Sequence, residues 1–293
     1  MYDAEPTTTH AAMASPWLSE SAFVSGLNAV HDRGYVIIEN AMSLEDCRQY
    51  RDELERHMAQ SPRGRNVFEG TSSHRLYALL AKSETFAAMI EHPLALAFAE
   101  HFLGESCLLS ACLSINLHPG ESVQPWHTDD AHIGVAHPHG IFGVSVFWAL
   151  DETTVLNGAT EVLPYSHRWA DSELQGMLQG MLQDEHFTQT ETVGEDSHGA
   201  LDSVHAAMPA GSIMVMSSDV WHRGGANRSE TDRLIVTPQY CAGWARQLEN
   251  MLLAVPAERA RVLPKRTQEL LGYSIHTPFM GYVDGMHPSR VLK

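Results

Sequence analysis

The stretch Gln124-Pro125-Trp126-His127-Thr128-Asp129-Asp130 sets an imidazole and a carboxylate two residues apart, shortly after an apolar run ending near Leu117 and the turn His118-Pro119-Gly120. In extended backbone, residues i and i+2 point to the same side, so His127 and Asp129 can offer a nitrogen and an oxygen to one ion. A third ligand is then required. The best candidate is His222, in Asp219-Val220-Trp221-His222-Arg223-Gly224-Gly225, directly after the apolar run Ser212 to Met216. Two imidazoles and one carboxylate on one face, with open positions opposite, suit non-haem Fe(II), whereas zinc more often takes a closed tetrahedral set. Further on, Arg233 opens the apolar run Leu234-Ile235-Val236. Its guanidinium can fork onto the far carboxylate of a dicarboxylate whose keto-acid end chelates the metal.

Outward from this stretch, apolar runs bounded by Gly, Pro, Asn and Asp predict strands at Cys107 to Leu117, Phe142 to Leu150, Thr160 to Leu163, Ser212 to Met216 and Leu234 to Tyr240. Toward the N-terminus the period changes. Phe23, Leu27 and Val30 share one face of a helix that Gly34 ends, Tyr35-Val36-Ile37-Ile38 is a short strand, and Ser43 with Asp46 resembles a capping box opening a second helix. Helical spacing returns at Glu84 to Glu91 and Leu94 to Phe102, split by Pro93. Helices followed by many short strands predict a mainly β domain, a sandwich or barrel with N-terminal helices.

The polar, Thr- and Ala-rich residues 1–16 carry neither the basic nor the apolar part of a signal peptide and read as a disordered, cytoplasmic leader ahead of one domain spanning 17–293. Residues about 170–207, with a Leu-Gln-Gly-Met repeat and an acidic tract, interrupt the strand rhythm and read as an inserted, lid-like segment. The net charge of -17 repels phosphate backbones and anionic lipid, so nucleic acid and membrane are not expected partners; a small-molecule substrate is. The four cysteines lack any CxxC pairing and read as reduced, buried thiols. His132, His137 and His139 lie in a Pro/Gly-rich loop and read as solvated, while Phe68, Tyr77 and Leu80 are candidates to wall an apolar pocket.

The motifs together resemble the phytanoyl-CoA dioxygenase-like branch of the Fe(II)/2-oxoglutarate oxygenases. The matching text is Gly120, Gln124, His127-Thr128-Asp129-Asp130, Trp148-Ala149-Leu150-Asp151, Asn157-Gly158-Ala159-Thr160, Pro164-Tyr165-Ser166-His167, then His222 through Gly224, Asn227 and Arg233, running in family order over about 34–240. The resemblance implies a double-stranded β-helix (jelly-roll, cupin-like) core at about 105–242, with flanking N-terminal helices and a helical segment at about 244–293. It implies Fe(II) held by His127, Asp129 and His222, 2-oxoglutarate held through Arg233, with Gln124, Thr160 and Trp148 near the co-substrate, and O2 as the oxidant. An intact Asp129 favours oxygen transfer over halogenation, in which relatives replace that carboxylate. The implied reaction is hydroxylation, or desaturation or rearrangement, of a small hydrophobic metabolite of natural-product biosynthesis. Acyl-CoA or fatty-acid hydroxylation, a zinc hydrolase and a non-catalytic metal- or ligand-binding β-helix protein are the competing readings.

Overall fold

A computed structural model of the protein describes residues 8–59, 61–173, 176 and 202–293. Near the N-terminus, local chemistry sets the elements. Ser19 caps helix α2 (Glu20–Arg33) by accepting from the Ala22 N–H, and Gly34 closes it with φ of 94°, a left-handed conformation that glycine adopts without steric cost. Ser43 likewise accepts from the Asp46 N–H and opens α3 (Leu44–Met58). Pro93 does not interrupt a helix but begins one, α6 (Pro93–Leu103), where its missing N–H costs nothing. Two short helices, α4 (Leu79–Lys82) and α5 (Phe86–Ile90), precede it.

The strands are β1 (Tyr35–Ile38), β2 (His74–Leu76), β3 (Leu108–Leu117), β4 (Gly143–Ala149), β5 (Glu161–Val162), β6 (Val204–His205), β7 (Ile213–Ser217), β8 (His222–Arg223) and β9 (Arg233–Cys241). Among the described residues they form a major sheet in the order β1-β7-β4-β9-β3-β2 and a minor sheet in the order β6-β5-β8, every pairing antiparallel. The chain is therefore a mainly β protein of cupin-like, jelly-roll type with flanking helices.

The two-residue period of the strands sorts the side chains into two layers. Val144, Val146 and Trp148 of β4, Ile213 and Val215 of β7, and Leu234, Val236 and Tyr240 of β9 join Phe23, Phe98 and the other helix residues in the larger core. Phe147 and Ala149, Met214 and Met216, and Ile235 point the other way, into a second cluster with Val162 of the minor sheet. Each large side chain removed from water contributes about 1.5–3 kcal/mol, and the Phe23 and Phe98 rings meet edge to face at 5.0 Å.

Two sequence expectations change, at the leader and at the C-terminal segment. The leader expected to be disordered through residue 16 is helical at Thr8–Ala14 (α1), with Ala14 fully buried and the His10 ring 6.1 Å from that of His101 on α6. Small residues let α1 approach α6 closely, a tertiary packing that composition does not reveal. The lid-like segment expected over about 170–207 lies for the most part outside the described residues, but its end, β6, is part of the minor sheet. Beyond β9, short helices Met251–Ala254 and Lys265–Leu271 pack near β3, Ala257–Ala260 packs against the last helical turn, Pro288–Leu292, and bridged turns fill the stretch before it.

The larger core also encloses a histidine. His92 sits between Trp17 and Trp148, ring centres 4.4 and 4.8 Å away, and burial holds its pKa down to about 4 from 6.5. An unfolded histidine takes up its proton near pH 6.5 while the folded one resists until about 4, so the stability gained by keeping His92 neutral is full above pH 6.5 and is lost as pH falls through 4. Denaturation midpoints measured across this window should fall more steeply for the wild type than for His92→Phe; parallel slopes would contradict the assignment.

Candidate metal centre and its cavity

His127 and His222 are joined by reciprocal backbone hydrogen bonds, His127 N to His222 O at 3.0 Å and His222 N to His127 O at 2.9 Å. This single antiparallel pairing ties the strand end after β3 to β8 and brings the two rings to 4.3 Å. Asp129 is fixed in turn by its N–H donating to the Ser218 carbonyl at 2.8 Å. One ligand atom from each of His127, Asp129 and His222 then lies within 4.8 Å of the others, an arrangement that could hold a metal ion.

The hydrogen bonds around the three side chains aim their lone pairs. His127 Nδ1 faces the Pro125 carbonyl at 2.9 Å and His222 Nδ1 the Val220 carbonyl at 3.0 Å. A carbonyl only accepts, so each Nδ1 carries the proton and each Nε2 presents a lone pair. Burial, with His222 beside it, pulls the His127 pKa well below its ordinary value and keeps the ring neutral, the form that ligates. Asp129 Oδ2 accepts from Ser145 Oγ at 2.5 Å and Gln239 Nε2 at 3.0 Å, while Oδ1 stands 3.7 Å from His222 Nε2. Ser145 on β4 and Gln239 on β9 are directly opposed in the sheet register, so one cross-strand pair holds the carboxylate.

The triad opens into a cavity of about 520 Å3 that also takes in Arg233, Ile235, Thr237 and Gln239 of β9, Ala111, Leu113, Ile115 and Leu117 of β3, and Phe68, Arg75 and Tyr77. Arg233 is 2% exposed, and its Nη2 donates to the Gly158 carbonyl. Its Nε is buried with no hydrogen-bond partner among the described residues, and burial, then repulsion from Arg75, lowers its pKa to about 10. A desolvated cation with an orphaned donor is costly unless an anion meets it. The donor set therefore fits the groups that the sequence implies, a divalent iron on two imidazoles and a carboxylate, and a dicarboxylate on Arg233.

Of the weaker sequence candidates, Gln124 and Thr160 line the cavity. Gln124 also links two loops, donating to the Phe68 carbonyl at 2.8 Å and accepting from the Gly224 N–H at 3.0 Å. Trp148 does not line it: strand alternation turns Trp148 toward the helices and puts its neighbour Phe147 in the cavity instead. Phe68 and Tyr77 are cavity walls, whereas Leu80 is fully packed in the larger core. Sequence reading missed Ser145, Gln239 and Arg75. A polar residue inside an apolar strand is the available signal for the first two. A metal held by the triad should bind roughly 10–100-fold more weakly in Gln239→Leu, a change read by competition with a chelating indicator dye.

The family model for phytanoyl-CoA dioxygenase (PhyH) matches residues 30–235. Among curated proteins, the chain is 27% identical over 259 residues to Dioxygenase af480 of Aspergillus fumigatus, covering 86% of this chain and 76% of that protein. It is 26% identical over 294 residues to Dioxygenase cnsJ of Penicillium expansum, covering 91% and 81%. Among solved structures it is similar to the epimerase SnoN in complex with Fe3+, alpha ketoglutarate and nogalamycin RO, with a TM-score of 0.56 and 18% identity over 76% of this chain and 84% of that one.

Proposed function

The chain belongs to the phytanoyl-CoA dioxygenase family, and from that footing we propose that His127, Asp129 and His222 are the ligands of its catalytic Fe(II) and that Arg233 binds the C5 carboxylate of 2-oxoglutarate. It is a non-haem iron, 2-oxoglutarate-dependent dioxygenase. The observation that carries the residue assignment is the convergence of two Nε2 lone pairs and one carboxylate oxygen beside a cavity in which Arg233 Nε is buried with no hydrogen-bond partner among the described residues.

When bound, iron and 2-oxoglutarate supply the oxidising chemistry: O2 is consumed, the keto acid becomes succinate and CO2, and a substrate C–H bond is oxidised. The protein's part lies in the residues around them. Ser145 and Gln239 engage Oδ2 of Asp129, so Oδ1 is the oxygen that would hold the metal. Arg233, held by the Gly158 carbonyl, presents a fixed fork to the far end of the co-substrate. Phe68, Leu113, Ile115, Phe147 and Ile235 give the cavity an apolar wall that excludes water and receives a hydrophobic substrate.

The substrate we assign is a small hydrophobic metabolite of natural-product biosynthesis, and the reaction is its hydroxylation. Supporting this are the apolar wall and the excess of negative charge, which does not favour a coenzyme A tail. The structurally similar SnoN is an epimerase from nogalamycin biosynthesis. The relative of Penicillium brasilianum, named Multifunctional dioxygenase prhA, shares 25% identity over 84% of this chain.

Asp129→Ala is expected to abolish substrate-coupled succinate formation, and anaerobic addition of Fe(II) and 2-oxoglutarate to the wild type should produce a visible charge-transfer band. Wild-type turnover in that variant would remove Asp129 from the ligand set. Charge-assisted hydrogen bonds are each worth ~1.5–3 kcal/mol, so Arg233→Leu should raise the KM for 2-oxoglutarate on the order of 10–100-fold. An unchanged KM would sink the clamp. Turnover of an acyl-CoA, with none of the corresponding free acid, would reverse the substrate assignment.

A further inference from the structure

On the far side of the Asp129-Asp130 dipeptide lies a second group of ligand-type side chains. Asp130, His137 and His139 each offer an atom within 4.8 Å of the others, and none of the three lines the cavity. The chain turns at this dipeptide, Asp130 having φ of -107° and ψ of 8°, and its two carboxylates join different clusters, Asp129 the first and Asp130 this one. The loop is exposed at His132, as expected, but not at the other two histidines: the side chains of Asp130, His139 and His137 are 2%, 6% and 12% exposed.

We propose that Asp130, His137 and His139 form a second, structural metal site that takes a zinc-type divalent ion. The ring orientations are those of ligands. His137 Nδ1 faces Asp171 Oδ1 at 3.0 Å and His139 Nδ1 the Gly140 carbonyl at 2.7 Å, both acceptors, so each ring is protonated at Nδ1 and turns its Nε2 toward Asp130, at 3.9 and 3.8 Å. These distances are too long for hydrogen bonds. Asp130 Oδ1 and His137 Nε2 are buried and have no hydrogen-bond partner among the described residues, while Asp130 Oδ2 accepts from Ser218 Oγ at 2.8 Å. An acceptor oxygen and an acceptor nitrogen converging in a buried site, with no donor between them, call for a cation.

Two imidazoles and one carboxylate select a zinc-type ion over magnesium or calcium, which take oxygen ligands. A buried carboxylate oxygen of Asp219, likewise unpartnered among the described residues, belongs to a group that interacts electrostatically with both Asp130 and His139. The Phe142 ring stacks on His139 at 4.6 Å, with the planes 3° apart, and holds the imidazole in place. An ion here would pin the backbone from which Asp129 is displayed, stiffening the catalytic centre without touching the substrate.

The test is stoichiometry. The full chain, stripped with chelator, is equilibrated with Zn2+ alone and its bound metal counted by mass spectrometry after gel filtration. The wild type should retain two equivalents, and Asp129→Ala, which leaves the second cluster intact, should retain one. His139→Ala should also retain one, and the double variant none. Loss of all zinc in Asp129→Ala overturns the second site, as does a His139→Ala chain that retains as much zinc as the wild type. If Asp129→Ala retains two equivalents while His139→Ala loses one, the first cluster has been misassigned and the second stands.

Discussion

One pair of backbone hydrogen bonds, between His127 and His222, carries the rest of the site. Residues remote in sequence become neighbours because the strand end after β3 and the short β8 pair at this point. The pairing sets the distance between the two imidazoles before any side-chain interaction is considered. The carbonyls of Pro125 and Val220, two residues before each histidine, then select the proton-bearing nitrogen. The spacing of the two rings is a property of the main chain, and the side chains inherit it.

The second constraint is electrostatic. Arg233 is a buried cation at the inner end of a strand, with a carbonyl for one nitrogen and nothing for another among the described residues. Isolated buried charge is among the costliest features a fold can carry, which is the reason for proposing that Arg233 receives an anionic co-substrate. Asp129 is the complementary case, a carboxylate with one oxygen satisfied by a cross-strand Ser145-Gln239 pair and the other turned toward the histidines.

How much of this was legible in the sequence depended on whether meaning resided in residue type or in register. His127, Asp129, His222 and Arg233 could be singled out because their local spacing marks strand ends, and the structure brings all four to one cavity. Helices α2 and α3 and the main strands followed from caps, glycines and period, since those signals are local. Ser145 and Gln239 could not be paired in advance, because their opposition exists only once β4 and β9 align. Trp148 was drawn toward the co-substrate by its motif, whereas the pleat assigns it to the helix side, against His92. Composition likewise suggested a loose leader at α1 and a wet loop at His137 and His139, and in both places packing overrode the local signal.

The alternation that turns Trp148 to the helix side also separates two kinds of evolutionary freedom. Along β9, Leu234 and Val236 are committed to the helices, while Ile235 and Thr237 face the cavity. Substitutions of the second kind can reshape what the enzyme accepts while leaving the fold's principal store of stability intact. A lineage built on this scaffold can therefore drift between substrates by small steps, each one residue out of phase with the positions it must conserve.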